Sequence, residues 1–258
     1  MSKTILQGLV GAWCPTLGPS GYTLLDRSGR GNHGTLTNMD AGSDWVMRNG
    51  QAALDLDGSD DYVDAGTKSL PITSAVTLSM WANFSAMTAS TFYTFFSFGG
   101  YVANGWLLQR SGDINSLRFA WNGDNFLNGP AFSTTNSLTH LCVTAVGQSI
   151  IFYVDSVATT GARGNGVANF AASGAQAINI GRRADSATQY TAGAVFEVAL
   201  WPMALTSTQV RQLFVLGAGG LGRLLTPQRR SYAFRVPAAA VKSYLFVNRG
   251  QVIGGGTL

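Results

Sequence analysis

Residues 76–84 read VTLSMWANF, and their pattern decides the fold class. Apolar side chains recur at every second position, at Val76, Leu78, Met80, Ala82 and Phe84. The positions between them hold Thr77, Ser79, Trp81 and Asn83. Alternation with a period of two over this length predicts a β-strand with two faces of different polarity.

Strand signals continue in both directions from this segment. The runs 138–146 and 150–155 are rich in β-branched and aromatic residues and are separated by Gly147-Gln148-Ser149, which predicts a hairpin. Further strands are predicted at 8–13, 53–56, 62–64, 92–98, 106–110, 117–121, 177–181 and 194–201. Strands at this spacing, interrupted by Gly, Asn, Asp and Ser, favour an all-β sandwich of two sheets.

One short helix is predicted after the last of these strands. Thr206 and Gln209 have the spacing of a capping box, and Val210 and Leu213 follow on one face. Gly217 is placed to end the helix. At about three turns, this helix caps the sandwich rather than forming a layer of its own.

The composition favours a single large β domain with many turns. Of the 258 residues, 46% are apolar and 12% are charged, and there are 32 glycines. The chain has three Lys, and Glu197 is its one Glu, which argues against long exposed helices.

The two cysteines and the N-terminus indicate a protein made in the cytosol. Cys14 and Cys142 lie in apolar runs and are expected to be buried free thiols rather than a disulfide framework. The N-terminal MSKTILQGLV lacks the apolar stretch of a signal peptide, and no run is long enough to span a membrane.

The charge is divided unevenly along the chain. Residues 1–216 carry eleven Lys and Arg against thirteen Asp and Glu, whereas residues 217–258 carry six basic residues and no acidic one. We therefore expect a sandwich over 1–216 and a basic, aromatic C-terminal arm over 217–258. Such a split suggests an acidic partner, although a solvated basic tail explains it equally well.

The arm supplies the candidate partner-binding residues. They are Arg223, Arg229, Arg230, Tyr232, Phe234, Arg235, Tyr244 and Phe246. Arginine and aromatic side chains are favoured at protein interfaces, and an extended arm can add a strand to a neighbour. The same residue types could bind nucleic acid, but six positive charges are few for that, so a protein partner is the preferred interpretation.

Four passages together resemble a known family. They are GLVGAW with DRSGRGNHGTL (26–36), ALDLDGSDDYVDAG (53–66), LTHLCVTAVGQSIIFYVDSV (138–157), and AINIGRR with FEVALWPMALTSTQVRQLF (177–214). In order and spacing they resemble the laminin-G-like members of the concanavalin A-like lectin/glucanase superfamily. The resemblance implies a jelly-roll sandwich whose first and last strands are neighbours. Phe196 and Asp155-Ser156 depart from the family pattern.

Catalysis is not expected, although the superfamily includes glucanases. A retaining glycosidase needs two carboxyl groups about 5 Å apart. Glu197 shares its strand face with Val195 and Ala199, neither of which can be a partner. Asp55 and Asp57 alternate but lie in the family's turn motif. His33, His140 and the cysteines have no recognisable catalytic context, so we predict that the protein is not an enzyme.

A calcium site is the alternative for the acidic turn. Asp57, Asp60, Asp61 and Asp64 offer the hard oxygen ligands that Ca²⁺ prefers. The favoured interpretation is that these side chains bond the backbone of the turn, so no metal and no cofactor is predicted.

The resemblance and the arm lead to two functional hypotheses. The first is a bacteriophage virion protein, such as a capsid decoration protein, anchored through its arm to capsid or tail subunits or to a further copy of itself. The alternative is a free carbohydrate-binding lectin in which Trp106, Trp121 or Tyr190 stacks on sugar rings, although each of these residues suits the core as well. A glucanase is a remote third hypothesis.

Overall fold

A computed structural model describes residues 5–226, except 86, 101–103, 124, 134, 135, 166 and 167. Within these residues the chain forms seventeen strands. They are β1 (Gly11–Trp13), β2 (Thr23–Leu24), β3 (Gly34–Thr37), β4 (Trp45–Arg48), β5 (Gln51–Asp57), β6 (Tyr62–Lys68), β7 (Ala75–Phe84), β8 (Tyr93–Phe98), β9 (Trp106–Arg110), β10 (Ser116–Trp121), β11 (Asn125–Ala131), β12 (Thr139–Val146), β13 (Ser149–Val154), β14 (Val157–Thr160), β15 (Ala162–Asn165), β16 (Gln176–Ile180) and β17 (Ala192–Trp201).

These strands form two antiparallel sheets, as the sequence predicts. One sheet has eight strands, in the order β14-β13-β12-β7-β17-β5-β4, with β1 beside β17. The other has nine, in the order β15-β11-β10-β9-β8-β16-β6-β3-β2. The first and last strands are indeed neighbours, since Ala12 of β1 pairs with Ala199 of β17. The predicted hairpin is present, with Val146 of β12 paired with Ser149 of β13.

The main core lies between the two sheets. The apolar positions of β7 belong to it together with Phe96, Trp106, Phe119 and Phe152, all fully buried. Stacked and tilted aromatic pairs run through it, such as Phe96 on Trp106 at 5.3 Å. Alternation along each strand therefore directs every second side chain into this layer.

The opposite face of the eight-stranded sheet is also covered. Helices α1 (Ser207–Leu216) and α2 (Gly220–Leu225) lie there. Phe214 of α1 stacks on Trp81 with ring centroids 5.7 Å apart. The prediction of a strand with two faces of different polarity is therefore right about residue types, but both faces of β7 are buried.

Helix α1 matches its prediction in detail. Thr206 accepts a hydrogen bond from the Gln209 N–H, and the Gln209 side chain accepts one from the Thr206 N–H, which completes the capping box. Gly217 ends the helix. Helix α2 was not predicted; it occupies the first residues that the sequence assigned to the arm, and Leu221 is buried beside Leu213 of α1.

No helix within 5–226, apart from the excepted residues, has both the length and the apolar character needed to cross a membrane.

Candidate functional site

A polar row crosses the outer face of the nine-stranded sheet, the face turned away from the main core. Strand register places Thr94 of β8 beside Gln109 of β9, Gln109 beside Arg118 of β10, and Arg118 beside Asn128 of β11. The alternation of each strand explains the row. In β9, Trp106 and Leu108 point into the core and Gln109 points out; in β10, Leu117 and Phe119 point in and Arg118 points out.

Within this row, the side-chain carbonyl of Gln109 lacks a hydrogen-bond donor among the described residues. Its side chain is only 4% exposed, yet its carbonyl oxygen Oε1 has no hydrogen-bond partner among the residues that the structure describes. A buried acceptor without a donor costs about 1–3 kcal/mol. Such groups are uncommon in folded proteins, and a donor from a bound water or a ligand is the usual way to satisfy one that lines a cavity.

Arg118 is held rigidly beside Gln109. It is 7% exposed, its Nη2 donates to both carboxylate oxygens of Asp113 at 2.9 and 2.7 Å, and its Nε donates to Asn128 at 2.9 Å. Its guanidinium lies 4.0 Å from the Phe126 ring centroid and 5.6 Å from that of Phe92. Burial raises the pKa of Asp113, but hydrogen bonds from Ser111 and Arg118 outweigh that effect and hold the pKa below its usual value.

The β16–β17 loop folds back over the same face and forms the opposite wall. Thr94 Oγ1 donates to the Gln189 side chain at 2.9 Å, and Ser97 Oγ donates to the Arg182 carbonyl at 3.0 Å. Arg183 of this loop is ion-paired with Asp185, with Nη2 to Oδ2 at 2.8 Å.

The row and the loop enclose a cavity of about 190 Å³ that we call the outer-face pocket. It is lined by Phe92, Gln109, Arg118, Ala120, Phe126, Arg183 and Gln189. At roughly 30 Å³ for each water molecule, the cavity holds roughly six waters and suits a small ring-shaped ligand better than a large one. Aromatic walls with a few fixed polar groups are typical of ligand pockets.

A second, shallower cavity adjoins this pocket, and we call it the adjoining groove. Its lining residues are Gly58, Ser90, Thr91, Phe92, Tyr93, Thr188, Gln189 and Tyr190. Phe92 and Gln189 line both cavities, so the two are neighbours on the surface of the molecule.

The acidic turn lies near the groove and bonds its own backbone. Asp57 Oδ1 accepts hydrogen bonds from the N–H groups of Ser59, Asp60 and Asp61 at 2.7, 3.2 and 3.3 Å. Carboxylate oxygens of Asp57, Asp60 and Asp61 lie within 4.8 Å of one another. Asp64 instead accepts from the Gly66 N–H at 2.7 Å. These bonds are the ones expected of a self-stabilised turn, the favoured interpretation of the sequence; that no metal binds there stays a prediction, with calcium as the alternative.

Glu197 lies in the other sheet, beneath α2. It is 3% exposed, and its Oε1 accepts from the Gly222 N–H at 2.8 Å and from Thr16 Oγ1 at 3.4 Å. Burial raises its pKa to about 7, against the lowering effect of these hydrogen bonds. Its contacts are therefore those of a group that fastens α2 to the sheet.

The histidines and cysteines have structural surroundings. His33 Nδ1 accepts from the Asp26 N–H at 3.0 Å. His140 Nε2 is 2.8 Å from Ser79 Oγ, and burial lowers its pKa to about 4. Cys14 and Cys142 are buried free thiols, as predicted, and burial raises the pKa of both.

The three aromatic residues considered for sugar stacking have different positions. Trp106 and Trp121 are buried in the main core, as the core interpretation predicts. Tyr190 lines the adjoining groove, with its ring 6.4 Å from that of Tyr62. The Arg182 guanidinium lies 3.7 Å from the Tyr62 ring centroid.

Of the predicted partner-binding residues, the structure describes one. Arg223 is exposed on α2. The other seven lie outside the described residues: Arg229, Arg230, Tyr232, Phe234, Arg235, Tyr244 and Phe246.

The outer-face pocket was missed by sequence reasoning. The available signal was a polar residue inside each of two otherwise apolar runs, Gln109 in WLLQR and Arg118 in SLRFAW. Strand register, which the sequence does not reveal, is what places these two residues side by side.

Comparison with known proteins agrees with this architecture. Residues 57–211 match a family model described as the concanavalin A-like lectin/glucanases superfamily, laminin-G type. No curated protein matches the chain. Among solved structures, domain 4 of an extracellular GH43 arabinanase from Geobacillus stearothermophilus, in complex with arabinotriose, has a TM-score of 0.58 at 18% identity, with 80% of this chain and 97% of that chain covered.

Two other similar structures are larger proteins. Trypanosoma rangeli sialidase in complex with 2,3-difluorosialic acid has a TM-score of 0.58 at 16% identity; 81% of this chain is covered, but it spans only 33% of the sialidase. The binding domain of botulinum neurotoxin DC in complex with SialylT has a TM-score of 0.56 at 13% identity, with 82% and 52% covered. At these identities the likeness establishes the fold alone.

Proposed function

Since this chain belongs to the concanavalin A-like lectin/glucanase superfamily, we propose that it is a carbohydrate-binding protein without catalytic activity and that it binds a sugar in the outer-face pocket. The observation that carries the proposal is the buried, unpartnered carbonyl oxygen of Gln109, which lines that pocket. A sugar hydroxyl is a hydrogen-bond donor of the kind that this acceptor lacks among the described residues.

The rest of the pocket supports the same ligand class. Phe92 and Phe126 supply apolar surface for the C–H groups of a sugar ring, and Gln189 supplies an amide. Arg118 is fixed by Asp113 and Asn128, so the pocket is pre-organised and little side-chain entropy is lost on binding. Arabinotriose bound to the similar arabinanase domain accords with a sugar ligand for this fold.

The arrangement of carboxylates argues for binding rather than hydrolysis. The lining of the outer-face pocket contains no Asp or Glu among the described residues. Asp113 and Asp185, the nearest partners of its arginines, are each held in an ion pair. Glu197, the one glutamate, lies in the opposite sheet with Val195 and Ala199 along its strand. A pair of carboxyl groups facing a substrate, which glycosidases require, is therefore not offered by the pocket.

The proposal is tested by measuring glycan binding to the wild type and to Gln109→Leu. The wild-type chain is screened on an array of neutral and acidic oligosaccharides, and the best ligand is titrated by calorimetry. We expect Gln109→Leu to weaken binding at least about tenfold, which corresponds to about 1.4 kcal/mol. Its free energy of unfolding should be unchanged or higher, because the variant removes an unpaired buried acceptor.

The exposed Gln212 of α1 provides the matched control. Gln212→Leu makes the same chemical change on α1, which covers the other sheet, so this variant should bind glycans like the wild type. Absence of glycan binding by the wild type, or full binding by Gln109→Leu, would refute the proposal. Appearance of cleavage products of the bound glycan, followed by mass spectrometry, would refute its non-catalytic part.

A second role is proposed for the C-terminal arm, that of anchoring the protein in a bacteriophage particle as a decoration or other structural component. The charge split supports it, because all charged residues of 217–258 are basic while the sandwich is nearly neutral. The test is mass spectrometry of density-gradient-purified particles from the source of the sequence. Co-purification at a fixed ratio to the shell proteins is expected; absence from the particles would overturn this role.

A further inference from the structure

Both arginines that line the outer-face pocket are neutralised by carboxylates of the same chain. Arg118 donates to both oxygens of Asp113, and Arg183 donates to Asp185. An acidic sugar that bonded to either guanidinium group would share it with a carboxylate that already neutralises its charge. It would also lose its hydration without gaining a net positive partner, which is unfavourable in a partly buried site.

The carbonyl oxygen of Gln109 calls for a hydroxyl donor. A hydroxyl can donate to this acceptor, whereas the ionised carboxylate of an acidic sugar has no proton to donate and gains nothing from it. The Arg118 guanidinium lies 4.0 Å from the Phe126 ring centroid and 5.6 Å from that of Phe92, so apolar rings border the charged group. Donor hydroxyls, rather than charges, complement this pocket.

The adjoining groove extends the same chemistry. Its described lining residues include no Lys, Arg, Asp or Glu, and its side chains are hydroxyls, aromatic rings and the amide of Gln189. Because Phe92 and Gln189 border both cavities, a ligand bound against Gln109 has the groove as the neighbouring place for a second sugar ring. The pocket, at about 190 Å³, is the smaller of the two.

We infer that the ligand is an uncharged oligosaccharide of at least two sugar rings, with one ring in the outer-face pocket and the next in the adjoining groove. This inference rests on the proposed carbohydrate-binding function and names its substrate class. It sets the chain apart from the similar sialidase, whose structure holds an acidic sugar derivative.

The experiment compares matched glycans on one array and then in calorimetry. The probes are arabinose with arabinotriose, glucose with cellotriose and laminaritriose, and lactose with 3′-sialyllactose. We expect the bound glycans to be neutral and the trisaccharide to bind at least tenfold more tightly than its monosaccharide. Preference for a sialylated or uronic glycan, or equal affinity for the monosaccharide and trisaccharide, would overturn the inference while leaving carbohydrate binding intact.

Two variants locate the ligand. Thr188→Trp fills the adjoining groove and should weaken trisaccharide binding about tenfold while leaving monosaccharide binding unchanged; Thr160→Trp on the exposed edge strand β14 is the control. Asp113→Asn removes the carboxylate that neutralises Arg118 and should create affinity for 3′-sialyllactose. If Thr188→Trp binds the trisaccharide as tightly as the wild type, the ligand does not extend into the adjoining groove. If Asp113→Asn still prefers neutral glycans as strongly as the wild type, the neutralisation of Arg118 does not explain that preference. If no glycan binds the wild type, the proposed function itself fails.

Discussion

Glu197 should make the stability of this sandwich depend on pH. Its carboxyl is almost fully buried beneath α2, where it accepts the Gly222 N–H at 2.8 Å. Burial raises its pKa from 4.5 to about 7 in the folded chain. The protonated form is therefore favoured by folding. Its stabilising contribution is complete below pH 4.5 and is lost as the pH rises through 7.

The size of the effect follows from that pKa difference. At about 1.4 kcal/mol per pKa unit, a rise from 4.5 to about 7 corresponds to about 3 kcal/mol of stability lost at alkaline pH. Glu197→Gln keeps a carbonyl oxygen to accept from Gly222 but cannot ionise. We therefore expect the variant to exceed the wild type by up to about 3 kcal/mol at pH 8.5 and to match it near pH 4.

Urea unfolding at half-unit steps from pH 4 to 8.5, with wild type and Glu197→Gln side by side, measures this difference. Comparing the two chains cancels every other titrating group, provided that the variant leaves the rest of the fold intact. A free-energy difference that stays constant over this pH range would show that Glu197 has the same pKa folded and unfolded, and would refute the reasoning.

Two further predictions concern other parts of the described chain. Burial lowers the pKa of His140 to about 4, so the wild type should lose stability relative to His140→Phe combined with Ser79→Ala as the pH falls from 6.5 to 4. Circular dichroism melts of the two proteins side by side at each pH measure this difference, because the opposite contribution of Glu197 is common to both and cancels. Truncation after Thr226 should leave the melting temperature unchanged, whereas truncation after Leu216 should cost about 2 kcal/mol because it removes the buried Leu221. Equal melting temperatures for the two truncations would contradict the packing described for α2.

Local signals account for what the sequence predicted well. The alternation of residues 76–84, the hairpin at Gly147 and the capping box of Thr206 each depend on residues close together in the chain. Such patterns fix the conformation of a segment before tertiary contacts are considered. The placement of β1 beside β17 is non-local, and it was predicted through the family resemblance rather than from residue patterns.

Tertiary packing explains what the sequence did not reveal. Trp81 occupies the more polar side of β7, and its burial depends on Phe214, which is 133 residues further along the chain. Trp106 and Trp121 could equally have been surface aromatics, because alternation alone does not say which face of a strand is turned to the core. Helix α2 is six residues long and contains two glycines, so its sequence carries little helical propensity.

The outer-face pocket shows most clearly how function depends on register in this fold. A shift of one residue in the pairing of β9 would turn Gln109 toward the core and Leu108 toward the pocket. That shift is opposed by the burial of Trp106 and Leu108, since each contributes apolar surface to the core. The same packing that holds the sheets together therefore keeps the Gln109 amide oxygen, which has no donor among the described residues, turned toward the pocket. A ligand hydroxyl would supply that donor, so the proposed binding function depends on the register of β9 rather than on any single residue type in the sequence.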